Sequence, residues 1–107
     1  MENVFIGKGN LSGKGVYANR NFNQGESIIK YDLNPLTEKE FQSLPEVERI
    51  FVHTHWNQKY LYGVPERYVN HSSSPNTEQD LNKKCDVAIR DIKKGEMITA
   101  DATKDDV

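Results

Sequence analysis

One segment of this chain occurs twice. Ala18-Asn-Arg20-Asn-Phe22-Asn-Gln-Gly25-Glu26-Ser-Ile28 aligns without a gap on Ala88-Ile-Arg90-Asp-Ile92-Lys-Lys-Gly95-Glu96-Met-Ile98, 70 positions further on. Alanine, arginine, glycine, glutamate and isoleucine are kept, and Phe22 is matched by Ile92. Each copy reads as strand, turn, strand. The glycine takes the left-handed position of the turn, and Phe22 or Ile92 packs beneath it. Two copies are too few for a solenoid, which needs about three stacked units. The expectation is two similar hairpins inside one β-rich fold.

The remaining pattern agrees with short strands. Glycine and asparagine punctuate the chain at short intervals. Val4–Ile6, Val16–Ala18, Ser27–Asp32, Gln58–Tyr62, Val87–Ile89 and Met97–Ala100 read as strands. Thr37-Glu-Lys-Glu40 is a capping box, so a short helix is expected from Glu38 to Leu44. Pro45 interrupts it, and Glu46–Val52 forms a further turn or two. With 107 residues the chain makes a single domain spanning 1–107, and residues 102–107 are expected to be a flexible acidic tail.

Composition excludes several classes of function. Fourteen Lys and Arg stand against 16 Asp and Glu, and the acidic C-terminus accounts for the imbalance, which leaves a neutral body. A neutral body is a poor nucleic-acid binder, because such binding needs a basic face. Charge is uneven on a smaller scale. Residues 7–30 carry four bases against one acid, and residues 31–66 six acids against three bases. Two solvated surfaces are the ordinary reading of that unevenness. No stretch approaches the roughly 20 apolar residues of a membrane span, and MENVFIGKGN lacks the basic and apolar regions of a secretory signal. Cys85 is the only cysteine, so neither an intrachain disulfide nor a cysteine-rich zinc cluster is expected. A reducing, cytoplasmic setting is the simplest expectation.

Three motifs are candidates for chemistry. Gly13-Lys14-Gly15 precedes the apolar Val16-Tyr17-Ala18, and glycines there let backbone groups approach a ligand. On its own the motif reads as a plain turn, and it lacks the third glycine and helix of a dinucleotide fingerprint. Arg67-Tyr68-Val-Asn70-His71-Ser72-Ser-Ser-Pro75-Asn76 is more specific. Alone, His71 would be an ordinary residue of a capped loop; the string as a whole would not. His53 and His55 would share one strand face and offer two imidazoles to a metal, but no carboxylate or cysteine is suitably spaced, so they read as exposed histidines.

Together these segments resemble the SET domain, the fold of protein-lysine methyltransferases that use S-adenosylmethionine. Gly13-Lys14-Gly15-Val-Tyr-Ala looks like that family's N-terminal Gly-x-Gly motif. Arg67-Tyr68-x-Asn70-His71-Ser72-x-x-Pro75-Asn76 resembles its Arg-Phe-x-Asn-His-Ser-x-x-Pro-Asn signature. Arg90-Asp91-Ile92-x-x-Gly95-Glu96-x-Ile98-Thr99-x-Asp101 is similar to the segment leading into its last motif. The resemblance implies a mainly β fold of several short curved sheets, one or two short helices and a C-terminal pseudoknot. It implies S-adenosylmethionine held by Lys14, Gly15, Tyr68, Asn70 and His71. A lysine of a protein or peptide would enter from the other face through a narrow aromatic channel.

The family's last motif ends in Asp-Tyr, and the tyrosine is catalytic. Here that position is Ala102, and Ala100 also stands where an aromatic is common. Methyl transfer needs a neutral amine, and free lysine titrates near about 10.4. A positive donor and an apolar tunnel favour deprotonation, alignment of the reactants supplies much of the acceleration, and the phenol adds a fixed dipole. Losing one preorganised donor typically costs on the order of 10²–10³ in rate. The resemblance therefore implies a severely weakened transferase, or a non-catalytic module that keeps the cofactor or lysine-peptide pocket. A replacement hydroxyl would come from Tyr17, Tyr31, Tyr60, Tyr62 or Tyr68. Larger relatives close the channel with a zinc-binding segment that has no counterpart here, and Ser73 stands where a cysteine is frequent. Closure by the acidic tail or by a homodimer is the corresponding expectation.

Overall fold

A computed structural model describes residues 3–104. Ten short strands form three sheets. β1 (Val4–Leu11) and β2 (Lys14–Ala18) make a hairpin whose tip holds Ser12 and Gly13 in the left-handed region. β3 (Ser27–Lys30) follows, then β4 (Leu33–Leu36), α1 (Glu38–Ser43) and α2 (Glu46–Arg49). β5 (Val52–His55) and β6 (Gln58–Tyr62) are a second hairpin, followed by a 3₁₀ turn at Glu66–Tyr68. The chain then enters β7 (Asn70–His71), β8 (Thr77–Asp80), β9 (Cys85–Ala88) and β10 (Met97–Ala100), and ends its described part in a 3₁₀ turn at Ala102–Lys104. Sheet orders are β1-β2-β10-β7, β3-β9-β8 and β4-β6-β5. Residues 105–107 of the expected acidic tail lie outside the described residues.

The repeat behaves differently from the expectation of two hairpins. Neither copy pairs with itself; the copies exchange strands. β2 of the first copy pairs with β10 of the second (Tyr17 opposite Met97), and β9 of the second pairs with β3 of the first (Val87 opposite Ser27). At the crossing Phe22 and Ile92 exchange two backbone hydrogen bonds of 2.8 and 2.9 Å. Gly25 N–H donates to the Ala88 carbonyl and Gly95 N–H to the Ala18 carbonyl, both at 2.8 Å. Both glycines sit at φ 92°, as the turn requires. Each turn is braced by its own arginine: Arg20 reaches Glu26 at 3.0 Å, and Arg90 reaches Glu96 at 3.4 Å. The physical reason for the exchange is burial. Phe22, Ile92, Ala18, Ala88, Ile28 and Ile98 are all core residues, and facing the copies towards each other buries both apolar sets in one centre.

Around this centre the other elements are peripheral. The capping box forms as the sequence predicts: Thr37 Oγ1 accepts from Glu40 N–H, and Glu40 Oε1 accepts from Thr37 N–H. Hydrogen bonding from the Thr37 backbone N–H, and then from its side chain, favours the ionised form and holds the Glu40 carboxyl below its usual range. Neither helix buries a residue; the arm is held by the α1 capping box, by Lys59, whose Nζ lies 3.2 Å from Glu38 Oε2, and by Arg67, whose Nη1 lies 2.8 Å from Glu48 Oε2. Strands β4, β5, β7 and β8 were not expected. They are short or interrupted by polar residues and proline, and they exist because a neighbouring strand supplies the pairing.

Candidate functional site

The tip of the β1–β2 hairpin and the segment before β7 are fastened together by one side chain. Asn70 is 3% exposed. Its Nδ2 donates to the Lys14 and Tyr68 carbonyls, each at 2.9 Å, and its Oδ1 accepts from Asn10 N–H at 2.7 Å. A buried amide with three partners is nearly satisfied, and an apolar residue there would orphan all three backbone groups. Lys14 Nζ stands 4.9 Å from the centroid of the Tyr68 ring, a cation–π contact, and the Tyr68 ring packs edge-on to Phe51. Gly15 is where backbones approach. A Cβ there would lie 3.0 Å from the Lys8 carbonyl oxygen and 3.1 Å from Met97 Cε. Gly13 has open space around it and serves the turn.

The neighbouring strand forms a knot. β10 runs parallel to β7, with Thr99 beside Asn70 and Ala100 beside His71. Its other flank is held by side chains from the chain that leaves β7. Asn76 Nδ2 donates to the Met97 carbonyl, Asn76 Oδ1 accepts from Thr99 N–H, and Thr77 Oγ1 donates to the Thr99 carbonyl, at 2.7–2.8 Å. The C-terminal strand is thus enclosed by residues 70–77, the pseudoknot that the resemblance implied. Beyond it, Ala102 N–H donates to His71 Nδ1 at 2.9 Å. An accepting Nδ1 belongs to an imidazole protonated on Nε2. The backbone at position 102 is therefore fixed although its side chain offers no chemistry.

Two cavities border this strand. One, of about 230 Å3, is lined by Leu11, Tyr62, Arg67, His71, Ala100 and Ala102 among others. The other, of about 280 Å3, is lined by Pro75, Thr77, Gln79, Ile89, Ala100 and Asp101 among others. Ala100 lines both.

Behind the first cavity lies a buried polar cluster that sequence reasoning missed. Tyr31 donates to Asp86 Oδ1 at 2.7 Å, and Glu66, 5% exposed, hydrogen-bonds to Asp86. Burial raises the Asp86 carboxyl above its usual range, opposed by its hydrogen bonds with Glu66 and Tyr31. Burial, reinforced by the Asp86 and Glu66 carboxylates, pushes the Tyr31 phenol far up. His55 is also buried, against the expectation of an exposed histidine. Its Nε2 lies 2.6 Å from the Tyr62 hydroxyl, and its ring stacks with that of Tyr62 at 5.9 Å. The strand alternation put His53 and His55 on one face, but the deep packing of Tyr62 decides which way that face turns. Among the described residues no group of three or more His, Cys, Asp or Glu is placed to hold a metal.

The five residues expected to hold a cofactor are brought together. Lys14, Tyr68 and Asn70 form the clamp, with Gly15 next in the chain; of the five, His71 alone lines the cavity of about 230 Å3. Of the five tyrosines considered as substitutes for the missing phenol, Tyr62 lines the cavity with Ala102, and its hydroxyl is engaged by His55. Tyr17 donates to the Lys8 carbonyl and Tyr31 to Asp86.

The SET domain family model matches residues 13–101. No curated protein matches the sequence. Among solved structures, a Plasmodium falciparum protein described as a histone methyltransferase superposes with a TM-score of 0.72 at 21% identity, covering 95% of this chain and 94% of that one. A humanized Chaetomium thermophilum Polycomb Repressive Complex 2 bound to the inhibitor GSK126 gives 0.71 at 25% identity, covering 95% of this chain and 15% of that one. The ctPRC2 complex in an autoinhibited conformation bound to S-adenosylmethionine gives 0.74 at 22%, over 97% and 15% of the two chains. This chain thus spans a small part of the polycomb chains it resembles.

Proposed function

The chain belongs to the SET domain family, and from that premise we propose that it binds S-adenosylmethionine beside the Lys14–Asn70 clamp and receives a protein lysine from the other side of Ala100. The observation that carries this reading is a pair of cavities that share Ala100 as a lining residue, next to a backbone held by His71. The chain's residues fit such a ligand. Gly15 lets the hairpin pack closely on Met97, the Lys14 carbonyl is fixed by Asn70, and the cavity lined by His71 is smaller than the roughly 300–1,000 Å3 of whole small-molecule sites, so it takes one end of the ligand. When bound, S-adenosylmethionine supplies the electrophilic methyl group and a positive charge.

What this chain adds is position. The knot fixes Ala100, and the clamp fixes the hairpin tip, so ligands in the two cavities would be positioned against one fixed residue. What it lacks at Ala102 is a hydroxyl to orient the amine and a bulky ring to exclude water. Transfer in this protein runs on proximity alone and is slow. The wall assigned to the lysine is aliphatic and acidic, with Thr77, Ile89 and Asp101, rather than the aromatic channel of the resemblance. The similarity to a protein described as a histone methyltransferase and to a complex bound to S-adenosylmethionine supports the assignment of ligand classes.

Calorimetry with S-adenosylhomocysteine tests the donor site. Saturable binding is expected, with amide shifts at Gly15 and His71 in nitrogen-15 spectra. Asn70→Ala is expected to weaken it at least about tenfold, since it frees the three backbone groups that shape the wall. No binding heat, or shifts confined to other strands, contradicts the reading.

A further inference from the structure

A trough runs along β8. It begins at the cavity that ends on Ala100 and Asp101 and continues into a larger depression of about 760 Å3 whose far wall carries Trp56. Glu78, Gln79, Leu81 and Ile89 line both parts, so the two are continuous. Trp56 is 65% exposed, at the tip of the β5–β6 hairpin. It sits at φ 51°, and Asn57 follows at 64°. A two-residue turn of this kind suits asparagine and glycine, and a bulky side chain at its first position is strained. The indole touches the buried His55 ring, at 6.0 Å between centroids, yet most of it stays exposed in a strained turn, which points to a binding role for its free face.

The charges along the trough share one sign. Its charged lining residues are Glu78, Asp80 and Asp101, and Leu81 and Ile89 give it an apolar stripe. An indole face beside carboxylates attracts a guanidinium or ammonium through the ring quadrupole and the opposite charge together. A nucleic acid would be repelled.

We propose that this trough seats the polypeptide carrying the target lysine, extended along β8, and that Trp56 with Glu78 and Asp80 recognises an arginine or lysine roughly three to five residues away from it, the span an extended chain of about 3.3 Å per residue covers beside β8 and its following turn. This rests on the assignment of the lysine to the Ala100 cavity. It makes Trp56 a specificity determinant outside the reacting groups, and the substrate class a basic, unfolded segment.

Trp56 is the only tryptophan of the chain, so its fluorescence reports occupancy directly. The probes are two end-blocked Gly/Ser peptides with one central lysine. One carries arginine about four residues to each side, and the other glutamine. The arginine peptide is expected to shift the emission and to bind at least about fivefold tighter, the scale of one cation–π contact. In the Glu78→Gln, Asp80→Asn double variant the preference falls below about twofold. In Trp56→Ala, read by calorimetry, it disappears. Equal binding of the two peptides overturns the proposal. So does emission that depends on protein concentration together with a dimeric mass in light scattering, which puts a second copy in the trough. S-adenosylhomocysteine binding on the same samples separates the two readings: donor binding without peptide preference removes the trough alone, and peptide preference without donor binding removes the donor site alone.

Discussion

The two copies of the repeated segment share a turn and differ in where they lead. In the first copy, β3 leaves the crossing and pairs along β9, backbone to backbone, towards Tyr31 and the buried Asp86. In the second, β10 leaves the same crossing, pairs briefly with β2, then passes between β7 and the side chains of Asn76 and Thr77 to reach Ala100 and Ala102. The equivalence breaks at a defined residue. Val16 stands opposite Ile98, but its counterpart Asp86 stands opposite Ile29, one place further on, where the ladder is irregular. Up to that point the copies are scaffold. Past it, one exit has become part of the core and the other the wall of a site. A chain can thus use one supersecondary unit twice for stability and assign function to whatever is threaded beside one copy.

The largest expected effect is at the shared centre. Phe22→Ala should cost about 3–5 kcal/mol and Ile92→Ala about 2–5 in urea unfolding. The double variant should lose less than the two combined, because the residues share one crossing. Simple additivity would mean the copies are independently stable, and the comparison would fail. Asn76→Ala comes next, with an expected loss of about 2–4 kcal/mol, since Thr99 N–H and the Met97 carbonyl lose their buried partner. That loss belongs to the second exit alone, and it should be accompanied by weaker S-adenosylhomocysteine binding. Intact affinity would show that the knot does not shape the donor site. The smallest effect sharpens the symmetry: Gly25→Ala and Gly95→Ala should each cost about 1–2 kcal/mol, from the positive φ alone, because nothing lies within 4 Å of a Cβ at either position. A difference above about 1 kcal/mol between them would mean that the turns are not equivalent.

How legible this was in the sequence depends on the range of the interaction. The capping box and the two glycine turns are written in adjacent residues, and both form as read. The clamp residues were found through motif resemblance; spacing alone would have left Gly13–Gly15 a turn. The strand exchange was not legible, because a hairpin and a swapped pair have the same local pattern and only the joint burial of Phe22 and Ile92 chooses between them. The burial of His55 was missed for a similar reason: its partner Tyr62 lies across a hairpin whose tip, Trp56-Asn57, has a bulky residue where such a turn usually starts with asparagine, aspartate or glycine. Edge strand β8 has no apolar alternation, and its trough depends on which residues of β9 and β10 come to lie beside it.

Ala102 is the point on which the account turns, and it is directly accessible. Its backbone N–H is already held by His71, and its side chain is exposed, so a larger residue fits without disturbing the fold. Single-turnover transfer from saturating labelled S-adenosylmethionine to a lysine peptide should rise on the order of 10²–10³-fold in Ala102→Tyr. An unchanged rate in a variant that still binds S-adenosylhomocysteine would contradict the claim that a missing phenol is what limits this domain.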